Sequence, residues 1–447
     1  MDETRRLRDL GLFDSRVPRY TSYPTAPNFS PAVGAAHQAD WLRALDPAVP
    51  VSVYVHIPFC ERLCWFCACH TQGTKTLAPV EAYIETLEAE LALLSRHLPA
   101  GVRMGRLHWG GGTPTILPPA LVHRLAAAIR AAIPPAEAFE FSVEIDPTLV
   151  DRAKIAALAE EGLARASIGI QDFDPVVQQA IGRLQSLEAT RATVDDLRAA
   201  GIASLNADLV YGLPHQSEAR LADTVEKVLG LAPDRVAIFG YAHVPWASKR
   251  QKLIDEAALP GDHARLRLAA LAADGFAAAG YRRIGIDHFA RPGDGLDRAA
   301  RAGRLRRNFQ GYTDDVCPTL IGLGASSIAR FAQGYVQNAA ATAAWAGRIA
   351  AGTLAGARGH ALGPEDLLRG RAIEMLLCDF RLDLAALGPE GEALRPEAMA
   401  VAERFGDLVA LDAAGLAIRP AGVPLARIIA SAFDGYLAAG GRFSRAS

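Results

Sequence analysis

The sequence predicts an α/β fold built on a parallel sheet of six strands. Three observations indicate it: apolar, β-branched runs recur over the first 245 residues, amphipathic helical stretches separate them, and polar residues follow their ends. Six strand–helix units would form an incomplete (β/α)6 barrel of the TIM type, with functional residues at the carboxyl ends of the strands. The predicted strands cover residues 51–57, 107–109, 139–145, 166–170, 205–210 and 236–241.

Composition sets limits on partners and compartment. Half of the 447 residues are hydrophobic, and the net charge of −2 gives no sign of a surface for nucleic acid. No stretch of about 18 uncharged apolar residues could span a membrane. The N-terminus mixes both charges and lacks the apolar core of a signal peptide. We therefore expect a cytoplasmic protein, and a monomer, in a compartment that keeps thiols reduced.

The first strand leads into a run of four cysteines, Cys60, Cys64, Cys67 and Cys69. Three thiolates at spacings of four and three residues suit an iron–sulfur cluster and would leave one iron open for a substrate or cofactor. A structural zinc site is the alternative, although zinc usually takes two separated Cys-x2-Cys pairs. A disulfide framework fits this long chain less well.

An amphipathic helix over residues 79–98 leads to the second strand, which ends in His-Trp-Gly-Gly-Gly-Thr-Pro at residues 108–114. Glycines let the backbone approach a ligand closely and expose amide groups to it. A tight turn is the simpler interpretation of three glycines taken alone.

The next three strands carry polar residues near their ends. Glu144 ends a mainly apolar strand and needs a hydroxyl or cationic partner, which a ligand or a neighbouring arginine could supply. Gln171, Asp172 and Asp208 occupy similar positions, and each could instead cap a following helix.

Periodicity is weaker from about residue 245 to 360. The remainder predicts a small helical domain, with helices at residues 364–379, 395–405 and 425–439.

The cysteine spacing, followed one strand later by the glycine run, resembles the signature of radical S-adenosylmethionine (SAM) enzymes. Six further segments narrow that resemblance to one family. They lie at residues 18–26, 54–59, 211–214, 241–245, 285–292 and 307–313. In this order they are similar to the oxygen-independent coproporphyrinogen III oxidases, from about residue 17 to the closing Phe-Ser-Arg. The fold implied is a radical SAM barrel.

The resemblance implies one 4Fe-4S cluster on Cys60, Cys64 and Cys67, and two SAM molecules. Tyr54, Gly111, Glu144 and Ile328 would contact the cluster-bound SAM. The second SAM would contact Phe66, Gly112, Thr113, Gln171, Arg183, Asp208 and Ala242. Without the resemblance, Arg183 would be assigned to a solvated helix face. Cys69 would lie near the cluster as a thiol that tunes it or transfers an electron or hydrogen.

The implied reaction converts two propionates of coproporphyrinogen III to vinyl groups through a 5'-deoxyadenosyl radical, giving protoporphyrinogen IX. The electron donor and final acceptor are unidentified. Arg19, Arg291 and Arg307 are hypotheses for binding substrate carboxylates, because arginine offers them bidentate geometry.

Two related functions compete with this reaction. One is a haem chaperone, a class that typically lacks the fourth cysteine and the N-terminal segment found in this chain. The other is an anaerobic haem-opening methyltransferase.

The remaining candidate side chains are expected to be structural. His56, His108, His243 and His288 form no close pair with ligand spacing and are expected to make hydrogen bonds. Cys317 and Cys378 are expected in packed positions.

These inferences divide the chain into three parts. Residues 1–45 would be an N-terminal extension that contributes to the active site. Residues 46–360 would form the catalytic domain, with the barrel at about 50–245, and residues 361–447 the helical C-terminal domain.

Overall fold

The computed structural model describes residues 3–437 and 443–446. Its strands are β1 Val51–Ile57, β2 Phe59–Cys60, β3 Gln72–Gly73, β4 Met104–Gly111, β5 Pro135–Ile145, β6 Leu163–Gln171, β7 Ser204–Tyr211, β8 Arg235–Gly240, β9 Arg282–Ile284, β10 His288–Ala290, β11 Arg306–Asn308, β12 Gly311–Thr313, β13 Leu320–Leu323, β14 Ile328–Phe331, β15 Gly334–Asn338, β16 Gly356–Ala361, β17 Arg381–Asp383, β18 Val409–Leu411 and β19 Gly415–Ile418.

The α-helices are α1 Glu3–Asp9, α2 Ala35–Arg43, α3 Ala78–Ser95, α4 Pro119–Ala132, α5 Arg152–Glu160, α6 Pro175–Ala180, α7 Leu187–Ala199, α8 Glu218–Leu231, α9 Asp262–Ala278, α10 Gly295–Arg301, α11 Thr342–Ala350, α12 Pro364–Cys378, α13 Arg395–Phe405 and α14 Ala426–Ser431. None of the helices described is long and apolar enough to cross a membrane.

The six predicted strands are confirmed as β1, β4, β5, β6, β7 and β8. They lie side by side in chain order and run parallel. Helices connect successive strands and bury apolar faces against the sheet. In α3, for example, Val80, Ile84, Leu87 and Leu91 are at most 2% exposed, as a parallel sheet with helical crossovers requires.

The sheet is larger than the sequence predicts, because residues 282–361 add six short strands to it. Strand β13 runs parallel to β1, and β14, β15 and β16 continue outward in antiparallel order. On the other side, β10 and β9 extend from β8. These strands are three to six residues long, too short for a reliable alternation of apolar and polar residues.

Strand register brings the polar residues of the central strands onto one face. Tyr54 pairs with His108, and Glu144 pairs with Ser167. Since paired residues of neighbouring strands share a face, these side chains lie on the same face of the sheet.

An ion-pair network occupies the opposite, amino-terminal end of that face. Glu140 pairs with Arg106 at 2.6 Å and with Arg165 at 2.9 Å. Asp314, from the segment after β12, lies 3.2 Å from Arg235. The carboxyl ends of the strands are therefore the end at which a ligand can approach.

The C-terminal part is mostly helical, as predicted. Helices α12 and α13 match two predicted helices, whereas the third is only the six-residue α14 at Ala426–Ser431. The last two residues of that predicted helix, Ala438 and Ala439, lie outside the described residues. A three-stranded antiparallel sheet of β17, β19 and β18 was not predicted.

A second apolar core joins the two ends of the chain. Phe13 and Tyr20 from the N-terminal segment pack in one cluster with Leu376, Phe405 and Phe433. The N-terminal segment is therefore fixed to the C-terminal part. The predicted domain boundaries stay a prediction.

Candidate active site

The cysteine loop, residues 60–69, begins just after β1. Cys60 ends strand β2, which pairs with β3, and its carbonyl accepts the Thr74 N–H at 3.0 Å. Farther along, the Trp65 N–H donates to the Ile181 carbonyl at 2.9 Å. Backbone hydrogen bonds thus hold the loop at two points.

The segment at residues 248–251 supports the same loop through side chains. The Ser248 hydroxyl donates to the Cys67 carbonyl at 2.9 Å, and an Arg250 Nη2 donates to the Cys69 carbonyl at 3.0 Å. Gln251 Nε2 bonds the carbonyls of both Phe66 and Ala242, at 2.7 and 3.1 Å. It therefore links two residues that the family resemblance assigns to the second SAM.

Arg183 is a buried cation beside the cysteine loop, and only 8% of its surface is exposed. Its Nη1 lies 3.6 Å from Cys64 Sγ and 3.2 Å from Asp146 Oδ2, and its Nη2 donates to the Gly169 carbonyl at 2.8 Å. Its Nε has no hydrogen-bond partner within the described residues. The Arg183 side chain does not lie on a solvated helix face. It can pair with a cysteine thiolate and also with a further anion.

The thiols fit a soft-metal cluster. The side chain and N–H of Cys69 bond Cys67 and lower the pKa of the Cys67 thiol to about 6, while burial raises the pKa of Cys60 to about 11. Bonding to Cys67 raises the pKa of the exposed Cys69. The buried Arg183 lies beside Cys64 and helps to lower the pKa of Cys67, which suits thiolate ligation of iron. Within residues 3–437 and 443–446, no three His, Cys, Asp or Glu side chains are placed to hold a single metal ion.

The glycine turn, residues 110–112, lies directly against the end of β1. The Gly112 N–H donates to the Ile57 carbonyl at 2.8 Å, and a Cβ on Gly112 would lie 2.5 Å from the Phe59 carbonyl oxygen. The Thr113 N–H bonds that same carbonyl at 2.8 Å. The turn therefore holds the start of the cysteine loop by main-chain contacts that a side chain would disrupt.

Glu144 is held by His108 and the glycine turn, not by an arginine. Its Oε2 accepts the Gly111 N–H at 3.0 Å, and its Oε1 lies 3.6 Å from His108 Nε2. Burial acts to raise the pKa of Glu144, but these two partners outweigh burial and lower it. The ring of Tyr54 stacks on His108, with centroids 5.9 Å apart. An ionised carboxylate thus stands beside an aromatic ring.

Ile328, at the start of β14, reaches the same region. Strand register pairs Tyr54 with Gly322. A Cβ on Gly322 would lie 2.9 Å from the backbone of Ile328. The structure therefore brings together the four residues assigned to the cluster-bound SAM.

Asp208 and Gln171 form a second polar group on the neighbouring strands. Asp208 accepts hydrogen bonds from Ser167 at 2.9 Å and Asn206 at 2.8 Å, and burial raises its pKa. Gln171 has a φ of +69°, a left-handed conformation that is uncommon outside glycine and frequent at functional sites. A Cβ on Gly169 would lie 3.0 Å from Gln171 Nε2 and 3.2 Å from Arg183, so these two side chains are neighbours.

Asp172 does not cap the following helix, because the N-cap of α6 is Asp174. It is fully buried and accepts hydrogen bonds from Gln216, Thr224 and the Asp174 N–H. These three hydrogen bonds within the protein fix the turn after β6.

The histidines make the hydrogen bonds that were expected of them. His56 bonds the His70 carbonyl and Tyr54, and His108 bonds Ser142. His243 bonds Tyr241 and Glu256, and His288 bonds Asp287.

Both remaining cysteines lie in packed surroundings. Cys378 is buried in a small apolar cluster, and Cys317 is half-buried against Gly105.

Two of the three arginines suggested for the substrate line one cavity of about 440 Å³, namely Arg19 and Arg307. Arg291 does not line it, because its Nε bonds the Tyr281 hydroxyl at 3.2 Å and its guanidinium stacks on that ring. Arg265, Arg283 and Arg427 also line the cavity and were missed by sequence reasoning. They lie in separate stretches of the chain that carry no motif, so only folding brings them together.

Comparisons with known proteins agree with this geometry. The model of the radical SAM superfamily matches residues 54–228. The chain is 63% identical over 446 residues to the oxygen-independent coproporphyrinogen III oxidase of Cereibacter sphaeroides strain ATCC 17025, covering 99% of both chains. It is 57% identical to the protein of that name from Paracoccus denitrificans, covering 98% of both.

A solved structure shares the whole fold. Coproporphyrinogen III oxidase from Escherichia coli, described as a radical SAM enzyme, superposes with a TM-score of 0.89 at 35% identity. The match covers 95% of this chain and all of that one. With these identities over nearly the full length, the chain belongs to the oxygen-independent coproporphyrinogen III oxidase family of radical SAM enzymes.

Proposed function

We propose that the protein catalyses oxygen-independent oxidative decarboxylation of two propionates of coproporphyrinogen III, giving protoporphyrinogen IX. Membership of the family supports the substrate. The observation that carries the chemistry is the contact between the cysteine loop, Arg183 and the glycine turn at the open end of the sheet. Each propionate loses one hydrogen atom, one CO2 and one further electron, and becomes a vinyl group. A separate electron donor and acceptor are required.

The proposed ligands of one 4Fe-4S cluster are Cys60, Cys64 and Cys67. When bound, the cluster supplies the electron that cleaves SAM to methionine and the 5'-deoxyadenosyl radical. Arg183 offsets the negative charge of the thiolates.

We further propose that the protein holds two SAM molecules. Glu144, kept ionised by its lowered pKa, would accept hydrogen bonds from the first, beside Tyr54, Gly111 and Ile328. For the second, Arg183 would pair with the carboxylate and Asp208 would accept a hydroxyl. Phe66, Gly112, Thr113, Gln171 and Ala242 would complete that site.

Cys69 is proposed as an accessory thiol rather than a fourth ligand. Its N–H donates to Cys67 Sγ at 3.4 Å, so it acts on a ligand instead of occupying the open iron. A Cys69→Ser variant that lost cluster iron would count against this role. We also propose that the protein is a cytoplasmic monomer.

The test is an anaerobic incubation of reconstituted, reduced protein with SAM, coproporphyrinogen III and an added electron acceptor. The proposal predicts both 5'-deoxyadenosine and protoporphyrinogen IX from the wild type. Cys67→Ser should form neither. Cys317→Ser, which changes a half-buried cysteine away from the loop, should retain both. A wild type that formed neither product would contradict the proposal.

A further inference from the structure

The cavity that contains Arg19 and Arg307 has walls from three parts of the chain. The N-terminal segment contributes Leu12 and Arg19, strands β7 to β10 and helix α9 contribute the floor, and the C-terminal part contributes Val423 and Arg427. Its volume of about 440 Å³ lies in the range of small-molecule sites. The cavity combines apolar side chains with an unusual concentration of guanidinium groups.

The charge of this cavity is strongly positive. One acidic residue, Asp287, is among the lining residues described. The five arginines are Arg19, Arg265, Arg283, Arg307 and Arg427. Burial, with Arg19 and Arg307 nearby, lowers the pKa of Arg427 to about 9. Like charges gathered in a low-dielectric space destabilise one another, so anions entering the cavity would relieve this repulsion.

Four of the five arginines are bonded to the backbone, and one of these is Arg307, whose Nε donates to the Arg19 carbonyl at 3.3 Å. Arg427 donates to the carbonyls of Val17, Pro18, Arg445 and Ala446. Arg19 donates to the Gly240 carbonyl, and Arg265 donates to the Gly212 and Tyr241 carbonyls. These side chains join the chain ends to the sheet.

Arg307 and Arg283 each keep side-chain N–H groups without a hydrogen-bond partner among the described residues. The Arg307 side chain is only 4% exposed, and its Nη1 is buried without a hydrogen-bond partner, 3.8 Å from Asp287 Oδ1. Arg283 is exposed and packs over the Phe289 ring, and the described residues give it no hydrogen bond or ion pair. A buried unsatisfied N–H costs free energy, which a bound anion would recover. The buried Nη1 of Arg307 therefore points to a ligand, and Arg283 presents accessible N–H donors to the same cavity.

The cavity adjoins the polar face of the sheet. Asp287, in its wall, accepts a hydrogen bond from His288 Nδ1 at 2.7 Å. The His288 ring packs edge-on against Phe239 of β8, with centroids 5.6 Å apart. His288 also lies close enough to Asp208 to act against burial and lower the pKa of that carboxyl. A ligand in the cavity would therefore extend from the region of the proposed SAM sites.

We propose that this cavity binds the substrate carboxylates that are not being decarboxylated, with Arg283 and Arg307 donating to them. The inference rests on the proposed function, which supplies a substrate with four carboxylates. Leu12, Ile238 and Phe289 offer apolar surface to the macrocycle, while the arginines neutralise carboxylates beyond the reacting propionate. The cavity would thus select tetrapyrroles that carry carboxylates on the side away from the reaction.

The test is equilibrium binding of coproporphyrin III, the fluorescent oxidised form with the same four carboxylates, to the reconstituted protein. Its tetramethyl ester is the uncharged probe. Arg283→Gln should weaken coproporphyrin III binding by at least about tenfold and change ester binding less than twofold. Arg283→Lys should restore part of the affinity.

Arg282→Gln is the matched control. Arg282 is the neighbouring residue of the same strand, half-exposed, and it pairs with Asp297 at 3.4 Å. Its replacement should leave both affinities unchanged. Equal binding by wild type and Arg283→Gln, or no binding of coproporphyrin III by the wild type, would overturn the inference.

Measuring SAM cleavage separates a failure of this inference from a failure of the proposed function. With dithionite and SAM alone, Arg283→Gln should form 5'-deoxyadenosine at the wild-type rate, because Arg283 contacts neither the cysteine loop nor the glycine turn. A loss of 5'-deoxyadenosine in this variant would contradict the assignment of Arg283 to substrate alone. Absence of cleavage by the wild type would instead overturn the proposed function.

Discussion

At the residue scale, Glu144 is the side chain whose surroundings best indicate a ligand. The Glu144 side chain is 42% exposed at the carboxyl end of β5, so a ligand can reach its carboxylate. Here the partners are one N–H and a histidine ring, and the pKa is still lowered. Glu144 is therefore ionised at neutral pH with capacity left for ligand donors.

Replacing Glu144 tests that interpretation. Glu144→Gln should weaken SAM binding by about tenfold or more, because a hydrogen bond to a charged group contributes roughly 1.5–3 kcal/mol. The measurement is anaerobic equilibrium dialysis of SAM with reconstituted protein. Glu137→Gln, which changes an exposed carboxylate on the same strand, is the control and should bind SAM like the wild type. Equal affinities for all three proteins would remove Glu144 from the SAM site.

At the scale of elements, the glycine turn joins β4 to the end of β1. Gly112→Ala would place a Cβ 2.5 Å from the Phe59 carbonyl oxygen and 2.8 Å from that of Ile57, and neither backbone atom can move without shifting the cysteine loop. We expect this variant to lose roughly 2 kcal/mol or more of stability and to retain less iron after reconstitution.

Iron analysis and thermal unfolding measure these effects. Gly261→Ala is the matched control, because its φ is −68° and no other atom lies within 4 Å of its Cβ position. Full iron content and unchanged stability in Gly112→Ala would show that the turn does not hold the loop.

Helix α3 is tied to the added strands by a buried carboxylate. Glu90, 1% exposed, accepts the Gly324 N–H and a bond from Asn338, both at 2.7 Å. Burial raises its pKa from an ordinary 4.5 to about 7. Because the folded state holds this proton more tightly, the contribution of Glu90 to stability is greatest below pH 4.5 and is lost as pH rises through 7.

Urea unfolding at pH 5 and pH 8 measures this dependence. Relative to Glu90→Gln, which does not titrate, the wild type should lose on the order of 3 kcal/mol of unfolding free energy between the two values. Glu85→Gln, an exposed change on the same helix, should follow the wild type. A wild type that gained stability relative to Glu90→Gln on raising the pH would contradict the raised pKa.

At the scale of the whole molecule, the two chain ends meet over the open end of the sheet. Arg427 donates to carbonyls from both ends, and the Ala446 N–H donates to the Ser15 carbonyl at 2.9 Å. The cavity beside them exists only because these segments pack together. Substrate recognition by this cavity, as proposed above, would therefore depend on the packing of the two chain ends.

The sequence alone predicts those parts of the structure that depend on local patterns of residues. Six central strands have long apolar runs, and the cysteine and glycine motifs follow two of them directly. The short outer strands β9 to β16 were missed, since three to six residues carry too little periodicity. Arg283 and Arg427 were missed because no motif marks a residue whose neighbours come from distant segments.

The central claim is that this active site removes hydrogen from substrate propionates by SAM cleavage. The most direct measurement uses coproporphyrinogen III deuterated at the β-carbons of its propionates, incubated anaerobically with reduced protein and SAM. The account predicts deuterium in 5'-deoxyadenosine, with two molecules formed for each protoporphyrinogen IX. Protoporphyrinogen IX formed without deuterium transfer to 5'-deoxyadenosine would contradict it.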